Sequence, residues 1–386
     1  MRDAAIVGLG ATEFTKDSGR SEMSLALQAI KAALEDAGVP AHRVDGLATG
    51  VMDRSDEVDI SRNLGVTGLR FFSKTGLGGG GACGPLAHAA MAIAADAADV
   101  IVIYRALNGR SSVRHSRYLA ALPRDMTSDS VRTAFAIPVG LATPAAHAAL
   151  LFRRYMHVYG ATEEHLAALA VLHRDYAASN PAAWYYNRPL RRQQYFESRL
   201  IDEPIRAADC CQESDGGVAL VVTSLDLARD LRHRPVRIAA AAQGIGHQQS
   251  VQACLYRDDI TSFEETRVAS NEVWRRSRLT PRDIDVAVLY DHFTPTLLMQ
   301  IEALGFCGRG EAIEMLDEGA FGRGGQLPIN TNGGQIGEAY IHGYNGIAEA
   351  VRQIRGTAAN QVKGAEVALV TGAPMTATSA AVLTAD

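Results

Sequence analysis

An internal repeat constrains this chain more than any other feature of its sequence. Residues 33–53 and 273–293 share one order: the end of a helix, a short turn, an acidic strand start and an apolar strand. Residues 82–107 and 339–374 share a second: a helix rich in small residues that leads into a hydrophobic strand. Internal duplication fixes an architecture more firmly than a single element does. We therefore expect two α/β halves, layered so that the two small-residue helices stack between two sheets.

The predicted halves are residues 1–230 and 231–386. An insertion at about residues 108–208 interrupts the first half and is rich in Arg, Tyr and His. It contains two helix-like stretches, residues 142–160 and 162–178, which we interpret as a cap over the sheet. Outside the insertion, apolar strands alternate with helices, a pattern typical of a sheet that is covered on both faces.

Composition excludes several classes of protein. With 386 residues, 47% of them hydrophobic, the chain can bury a large core. The net charge of -5 argues against nucleic acid or an anionic membrane as the main partner. No apolar run approaches the roughly 18 residues that span a bilayer, and the chain opens directly on a strand-like segment, so we expect a cytoplasmic protein. Five scattered cysteines without metal-ligand spacing predict free thiols and no metal site.

Two glycine-rich segments look like nucleotide sites but lack an essential part. Residues 7–12, VGLGAT, could open a dinucleotide-binding turn, yet Glu13 stands where the third glycine is needed. The run Gly78 to Gly81 is followed by no Lys-Ser/Thr pair, which excludes a P-loop. Glycines let a backbone approach a ligand or a helix closely. We therefore expect substrate-pocket residues within this run: Gly79, Gly80 and Gly81.

Residues 327–346, LPINTNGGQIGEAYIHGYNG, resemble the signature N-x-x-G-G-x-x-x-x-G-H-P-x-G-x-x-G of the thiolase superfamily. The two align without a gap on four glycines, Gly333, Gly334, Gly343 and Gly346. In this register Tyr340 occupies the position of the family's catalytic His, and the neighbouring His342 falls on a different position. The resemblance extends over nearly the whole chain. It implies a duplicated thiolase fold with five αβαβα layers and an inserted cap.

Three further positions depart from the thiolase pattern. The segment YDHF, residues 290–293, resembles the thiolase Asn-Glu-Ala-Phe motif with Tyr290 in place of Asn. The position of the nucleophilic cysteine aligns with Gly79, and Cys83 lies about one helical turn later. The second thiolase cysteine has no counterpart, because no cysteine follows Cys307. A thiolase needs a thiolate nucleophile and a base, and neither stands at the matched positions.

The segments YDHFTP, GFCGRGEA and EAVRQIRG are similar to those of the lipid-transfer-protein-like branch of the superfamily, closest to the steroid side-chain-cleaving aldolases. This resemblance implies retro-aldol cleavage of a β-hydroxyacyl-CoA that carries a steroid ring system, of the 17-hydroxy-steroid C22-CoA type. The products would be a 17-ketosteroid and propionyl-CoA, with no cofactor besides the CoA of the substrate. The resemblance also implies a homodimer joined through sheet edges, and a heterotetramer with a small companion that carries an OB-fold and a zinc ribbon.

Retro-aldol cleavage needs a base for the β-hydroxyl proton, a pocket that stabilises the thioester enolate, and an acid that protonates it. A phenol, with an ordinary pKa near ~10, is a suitable partner for an alcohol that loses its proton as the bond breaks. We expect Tyr340 to be the base and Tyr290 the acid, although the two roles could be exchanged. Expected supporting residues are His292, His342 and Asp291.

Two other functions stay open at this point. One is a thiolase or acyltransferase that uses Cys83, and the other is a non-catalytic lipid or acyl-CoA carrier. The basic and aromatic residues 184–196, WYYNRPLRRQQYF, favour a solvated face. If they bind a ligand, the phosphates of CoA fit them best.

Overall fold

The computed structural model describes residues 2–76, 78–112, 134, 136–250, 252 and 254–386. The middle of the predicted insertion, residues 113–133, lies outside the described residues. The strands are β1 (Ala4–Ala11), β2 (Gly46–Gly50), β3 (Phe71–Thr75), β4 (Val100–Asn108), β5 (Leu200–Asp202), β6 (Ile205–Arg206), β7 (Asp215–Ser224), β8 (Val236–Gly244), β9 (Val286–Val288), β10 (Val367–Thr371) and β11 (Thr378–Ala385). The helices are α1 (Glu22–Ala37), α2 (Glu57–Leu64), α3 (Gly84–Ala94), α4 (Pro144–Tyr159), α5 (Glu163–Ala178), α6 (Arg192–Glu197), α7 (Leu225–Ala228), α8 (Glu264–Ser277), α9 (Pro295–Ala303), α10 (Ala312–Asp317), α11 (Gly334–Gly337) and α12 (Tyr344–Arg355).

The strands repeat about the centre of the molecule. Their order is β3-β2-β4-β7-β1-β8-β11-β10-β9, so that β2, β4, β7 and β1 of the first half correspond to β9, β10, β11 and β8 of the second. The strands β1 and β8 pair only at Ala5 with Arg237 and Ile6 with Val236. The nine strands therefore form one continuous sheet whose two halves are joined only by this short pairing, and we call these halves the first and the second sheet. The strand β3 pairs in parallel with β2, and its counterpart in the second half is a single parallel bridge between Ile329 and Ala287.

The two helices predicted to stack between the sheets lie there. Buried residues of α3, such as Leu86, and of α12, such as Ile347, pack in one cluster with Ile103 of the first sheet and Val370 of the second. The helix α1 covers the outer face of the first sheet. The helix α8 covers the outer face of the second sheet. Together these elements form five layers, which confirms the predicted αβαβα architecture.

Close helix packing explains the glycines near the N-terminus. The helix α1 begins at the N-cap Ser21, whose side chain accepts from the Ser24 N–H, and ends at Gly38, which has a φ of 69°. A Cβ on Gly8 would lie 2.2 Å from the carbonyl oxygen of Ala33 in α1. The backbone of β1 therefore lies directly against α1, and the VGLGAT segment serves packing.

The described part of the insertion packs on the second half. The predicted helices at residues 142–160 and 162–178 are confirmed as α4 and α5. Phe152 of α4 and Leu166 of α5 share a buried cluster with Leu297 of α9 and Phe321. Among the described residues, no helix combines the length and the apolar character that crossing a membrane requires.

Candidate active site

The structure brings the two predicted tyrosines together. Tyr290 lies just after β9, and Tyr340 lies in the loop between α11 and α12. Their hydroxyl oxygens are 3.2 Å apart although the residues are separated by 50 positions in the chain. The rings meet edge to face, with centroids 6.3 Å apart. This hydrogen-bonded phenol pair is the centre of the candidate site.

Tyr290 is held rigidly. Its N–H donates to Thr371 Oγ1 at 2.9 Å, and its carbonyl oxygen accepts from Gln300 Nε2 at 2.8 Å. Thr371 Oγ1 also donates to Gln300 Oε1 at 3.0 Å, which ties the two supports together. Only 2% of Tyr290 is exposed, and burial raises the pKa of Tyr290 well above its usual value. Tyr290 is therefore a fixed phenol that keeps its proton at neutral pH.

Gly79 leaves the space that the ring of Tyr290 fills. A Cβ built on Gly79 would lie 1.8 Å from the Tyr290 hydroxyl oxygen. On the other side of the ring, a Cβ on Gly343 would lie 3.0 Å from Tyr290 Cδ2. Since Gly79 aligns with the thiolase nucleophile, a cysteine there and a tyrosine at 290 exclude each other sterically.

The other two glycines of the predicted pocket face backbone. A Cβ on Gly80 would lie 2.1 Å from the carbonyl oxygen of Ala377, and one on Gly81 would lie 2.2 Å from that of Gly76. Gly79 is thus the member of the three that contacts the phenol pair directly.

Tyr340 is the more accessible of the two tyrosines. It is half-buried, and a parallel bridge joins it to Glu213. Burial raises the pKa of Tyr340 above the usual phenol range, and the guanidinium of Arg105 opposes that shift. Tyr340 is therefore also a neutral phenol at neutral pH, and it is the more exposed member of the phenol pair.

Each predicted supporting histidine lies against one tyrosine. The ring of His292 meets Tyr290 edge to face at 5.3 Å between centroids, and the ring of His342 meets Tyr340 in the same way at 5.2 Å. Burial lowers the pKa of His292 to about 3, so that this ring is neutral at physiological pH. The Nδ1 atom of His292 is buried and has no hydrogen-bond partner among the residues that the structure describes.

The Asp291 carboxylate is bound to the loop that carries Tyr340. It accepts from the N–H groups of Gln335 at 2.7 Å and Ile336 at 3.4 Å, at the start of α11. A Cβ on Gly334 would lie 2.0 Å from Asp291 Oδ2. Asp291 therefore holds the glycine-rich loop that carries Tyr340, and its contact with the site is indirect.

Sequence reasoning missed a buried ion pair beside His342. Arg105 and Asp53 are joined at 3.0 Å, and their side chains are 2% and 0% exposed. Arg105 also donates to His342 Nδ1, from Nη2 at 3.1 Å. A signal was present in the sequence: an arginine inside the otherwise apolar strand DVIVIYRAL needs a buried partner.

Cys83 lies in the core between the sheets. It is fully buried, and its thiol donates to the carbonyl oxygen of Val370 at 3.7 Å. Burial raises the pKa of Cys83 to about 12. A thiol that is buried and protonated in this way is a poor nucleophile.

The basic and aromatic segment 184–196 is attached to the loop of Tyr340. The N–H of Trp184 donates to the carbonyl oxygen of Glu338 at 2.9 Å, and that of Tyr185 donates to Gly337 at 3.3 Å. The guanidinium of Arg188 lies over the Trp184 ring at 4.8 Å from its centroid. This segment therefore borders the candidate site.

Known proteins with similar sequences decide the family. The family model described as "Thiolase C-terminal domain-like" matches residues 246–385. A "Steroid side-chain-cleaving aldolase" of Thermomonospora curvata is 51% identical over 99% of this chain and 98% of that protein. The chain belongs to the steroid side-chain-cleaving aldolase family. Another relative is the "17-hydroxy-3-oxo-4-pregnene-20-carboxyl-CoA lyase" of Mycobacterium tuberculosis, 51% identical over 92% of each chain. The resemblance stated from the motifs is thus confirmed.

Solved structures place this aldolase family on the thiolase fold. An "Ltp2-ChsH2(DUF35) aldolase" is 50% identical, covers 100% of this chain and 98% of that chain, and has a TM-score of 0.95. Human mitochondrial 3-ketoacyl-CoA thiolase is 16% identical, with a TM-score of 0.70 over 100% of this chain and 99% of that one, and shares the fold. The thiolase-fold prediction is confirmed.

Proposed function

We propose that this protein performs retro-aldol cleavage of a steroid β-hydroxyacyl-CoA, of the 17-hydroxy-steroid C22-CoA type, to a 17-ketosteroid and propionyl-CoA. The names of two relatives that are 51% identical, an aldolase and an acyl-CoA lyase, support this reaction. They also confirm the predicted enzyme class, a carbon–carbon lyase. The structural observation that carries the proposal is the phenol pair at 3.2 Å, with glycine at the thiolase nucleophile position.

The reaction moves one proton within the substrate. The bond between the α and β carbons breaks, and its electron pair leaves with the α carbon as the enolate of propionyl-CoA. The O–H electron pair of the β-hydroxyl becomes the second carbon–oxygen bond of the ketone. The β-hydroxyl proton passes to Tyr340, the proton of Tyr340 passes to Tyr290, and the proton of Tyr290 passes to the α carbon. Both phenols are neutral before and after this relay, because each gains one proton and loses one.

The raised pKa values of Tyr290 and Tyr340 favour this relay over a resting phenolate. A hydroxyl both donates and accepts and can rotate, so the 3.2 Å contact supports transfer from Tyr340 to Tyr290. The greater exposure of Tyr340 supports the role at the β-hydroxyl that we propose for it. Tyr290, behind it, then serves the enolate carbon.

Replacing each phenol by phenylalanine tests the relay. Tyr340→Phe keeps the ring and removes the proton carrier, so kcat should fall by about 10² to 10⁴ while acyl-CoA binding persists. The kcat of Tyr290→Phe should fall by a similar or a smaller factor. The measurement is mass spectrometry of propionyl-CoA and of the ketone product. Cys83→Ser is the matched control, and we expect it to retain most activity.

Two outcomes would contradict the proposal. A kcat of Tyr340→Phe within about threefold of the parent would remove Tyr340 as the proton acceptor. An acyl-enzyme trapped on Cys83 would favour a thiolase instead.

We also propose that the protein works with a small companion that carries an OB-fold and a zinc ribbon. Support comes from the similar aldolase structure, whose name joins two components, Ltp2 and ChsH2(DUF35). The assays are therefore made with the chain alone and after the companion is added. Equal activity in both would count against an obligate companion.

A further inference from the structure

We propose that Arg105 is a positioning residue that fixes the ring proton of His342 on Nε2, so that His342 serves as a neutral hydrogen-bond donor beside Tyr340 and not as a base. The kinetic consequence of this assignment rests on the proposed retro-aldol function. The assignment of the proton itself does not, because it follows from the hydrogen bonds of buried groups.

The guanidinium of Arg105 has a fixed place. Its Nη1 donates to Asp53 Oδ2 at 3.0 Å and to the carbonyl oxygen of Ala106 at 3.0 Å. The Asp53 carboxylate also accepts from the N–H of Ala106 at 2.9 Å and of Ser55 at 2.8 Å. Since both charged side chains are buried and bound on several sides, the guanidinium cannot turn away without leaving a buried charge unpaired.

The remaining edge of this guanidinium faces His342. Nε lies 3.3 Å and Nη2 lies 3.1 Å from His342 Nδ1. A guanidinium has donors only, so Nδ1 must accept and the ring proton must be on Nε2. A second ring proton would place an imidazolium beside a guanidinium inside the protein, where the repulsion between like charges is strong. His342 is therefore held neutral and in a single tautomer.

A fixed tautomer decides what His342 can do. Its one lone pair, on Nδ1, is used by Arg105, so the ring cannot take the proton of the β-hydroxyl. Tyr340, whose ring meets His342 at 5.2 Å between centroids, is left as the proton acceptor. The Nε2–H can donate to oxygen, which is the kind of group that stabilises the charge that develops on a thioester or ketone oxygen.

The charged and titratable groups around His342 come from both halves of the molecule. Arg105 of β4 and Asp53, after β2, belong to the first half. Tyr340, in the same loop as His342, and Tyr344 of α12 belong to the second half, and the charges of Arg105 and Asp53 act on Tyr344. Arg105 and Asp53 form one ion pair, and it is the cationic member of this pair that faces the ring at Nδ1.

Nitrogen NMR of protein labelled with ¹⁵N-histidine tests the tautomer without any turnover. The His342 signals, assigned by their loss in His342→Gln, should show a protonated Nε2 and a bare Nδ1 that stay constant between about pH 6 and pH 8. In Arg105→Gln the cation beside Nδ1 is lost and the Asp53 carboxylate loses its partner, so the ring should take up a second proton at a higher pH than in the wild type. Titration in the wild type, or an unchanged tautomer in Arg105→Gln, would overturn the proposal.

Two variants keep this test interpretable. Arg105→Lys retains a cationic donor, so it should keep the Nε2–H tautomer and also protect the fold if Arg105→Gln leaves Asp53 unpaired. Arg309→Gln is the matched control, because Arg309 also pairs with a buried carboxylate, that of Glu302, at 2.6 Å. This pair comes much later in the sequence than Arg105 and Asp53. This control should leave the His342 signals unchanged.

Kinetics separate positioning from a merely structural role. Arg105→Gln should lower kcat by about tenfold to a hundredfold and add a new acidic limb to the dependence of kcat on pH. In the His342→Gln background, which keeps an amide donor, the Arg105→Gln change should cost little more. Additive losses of kcat in the double variant and an unchanged pH profile would show that Arg105 acts only on stability. The NMR test of the tautomer does not depend on the proposed function, so a failure of that function would leave its result intact.

Discussion

At the scale of single residues, the absence of a nucleophile at position 79 and the presence of a tyrosine at position 290 are linked by steric exclusion. The ring of Tyr290 occupies the space that a side chain at 79 would need, since a Cβ there would lie 1.8 Å from its hydroxyl. A chain with this tyrosine therefore cannot keep a thiolase cysteine at the aligned position. The change in chemistry follows from the change in packing.

Gly79→Ala should therefore displace Tyr290 and break the phenol pair. We expect kcat to fall by at least about 10², the scale of one lost proton-transfer group. The control is Gly76→Ala, because no atom lies within 4 Å of a Cβ built on Gly76. Steady-state kinetics of both variants make the comparison. A Gly79→Ala enzyme within threefold of the parent would show that Tyr290 moves freely.

The sequence predicted the residues that align with a motif and missed those that do not. Tyr290 and Tyr340 could be found because each replaces a residue of a thiolase motif. The partners of Arg105 could not, because Asp53 is 52 positions away and His342 is 237 positions away. Periodicity indicates that a strand is buried, but only the folded structure shows which buried groups satisfy its one charged residue.

At the scale of secondary-structure elements, the repeat predicted most of the architecture because each copy keeps the same order of strands and helices. The repeat did not predict which distant segments of the chain pair as strands. The strand β1 pairs in antiparallel fashion with β7, about two hundred residues later in the chain. The repeat also did not predict that the counterpart of β3 is reduced to one bridge at Ile329.

The helix α12 carries a buried acid that should make stability depend on pH. Burial raises the pKa of Glu349 from the ordinary 4.5 of a glutamate to about 7. Between these values the unfolded chain releases the proton first, so the free energy of unfolding should fall as pH rises through this window. The loss should be about 3 kcal/mol at most.

Glu349→Gln should remove this pH dependence, because an amide does not titrate and can still accept from Thr331 Oγ1, which lies 2.6 Å from the carboxylate. Urea unfolding at pH 4.5, 6 and 8 would measure it. Glu366→Gln is the control, since the Glu366 side chain is 66% exposed. If the wild type and Glu349→Gln lost stability equally over this range, Glu349 would not be the responsible group.

At the scale of the whole molecule, the candidate site is shared between the halves. The first half supplies Gly79 and Arg105, and the second supplies Tyr290, Tyr340 and His342. The second half holds both phenols, but the space that the Tyr290 ring fills and the guanidinium that contacts His342 come from the first half. The duplicated fold therefore explains why changes at distant positions of the sequence act on one site.

The edge of the first sheet predicts how two copies of the chain associate. The strand β3 ends the order of strands, and among the described residues it pairs only with β2. Its Phe72 is 63% exposed, and an exposed apolar edge strand favours pairing with another chain. We expect the implied homodimer to form by antiparallel pairing of β3 with its copy about a twofold axis.

Phe72→Asp should convert this dimer to a monomer, because it would put a charged carboxylate in place of an exposed apolar ring at the expected contact. Size-exclusion chromatography with light scattering would give the mass at micromolar concentration. The control is Val158→Asp, since Val158 of α4 is exposed, at 47%, on a different face of the molecule. A wild-type chain that runs as a monomer, or a Phe72→Asp variant that stays dimeric, would exclude β3 as the dimer contact.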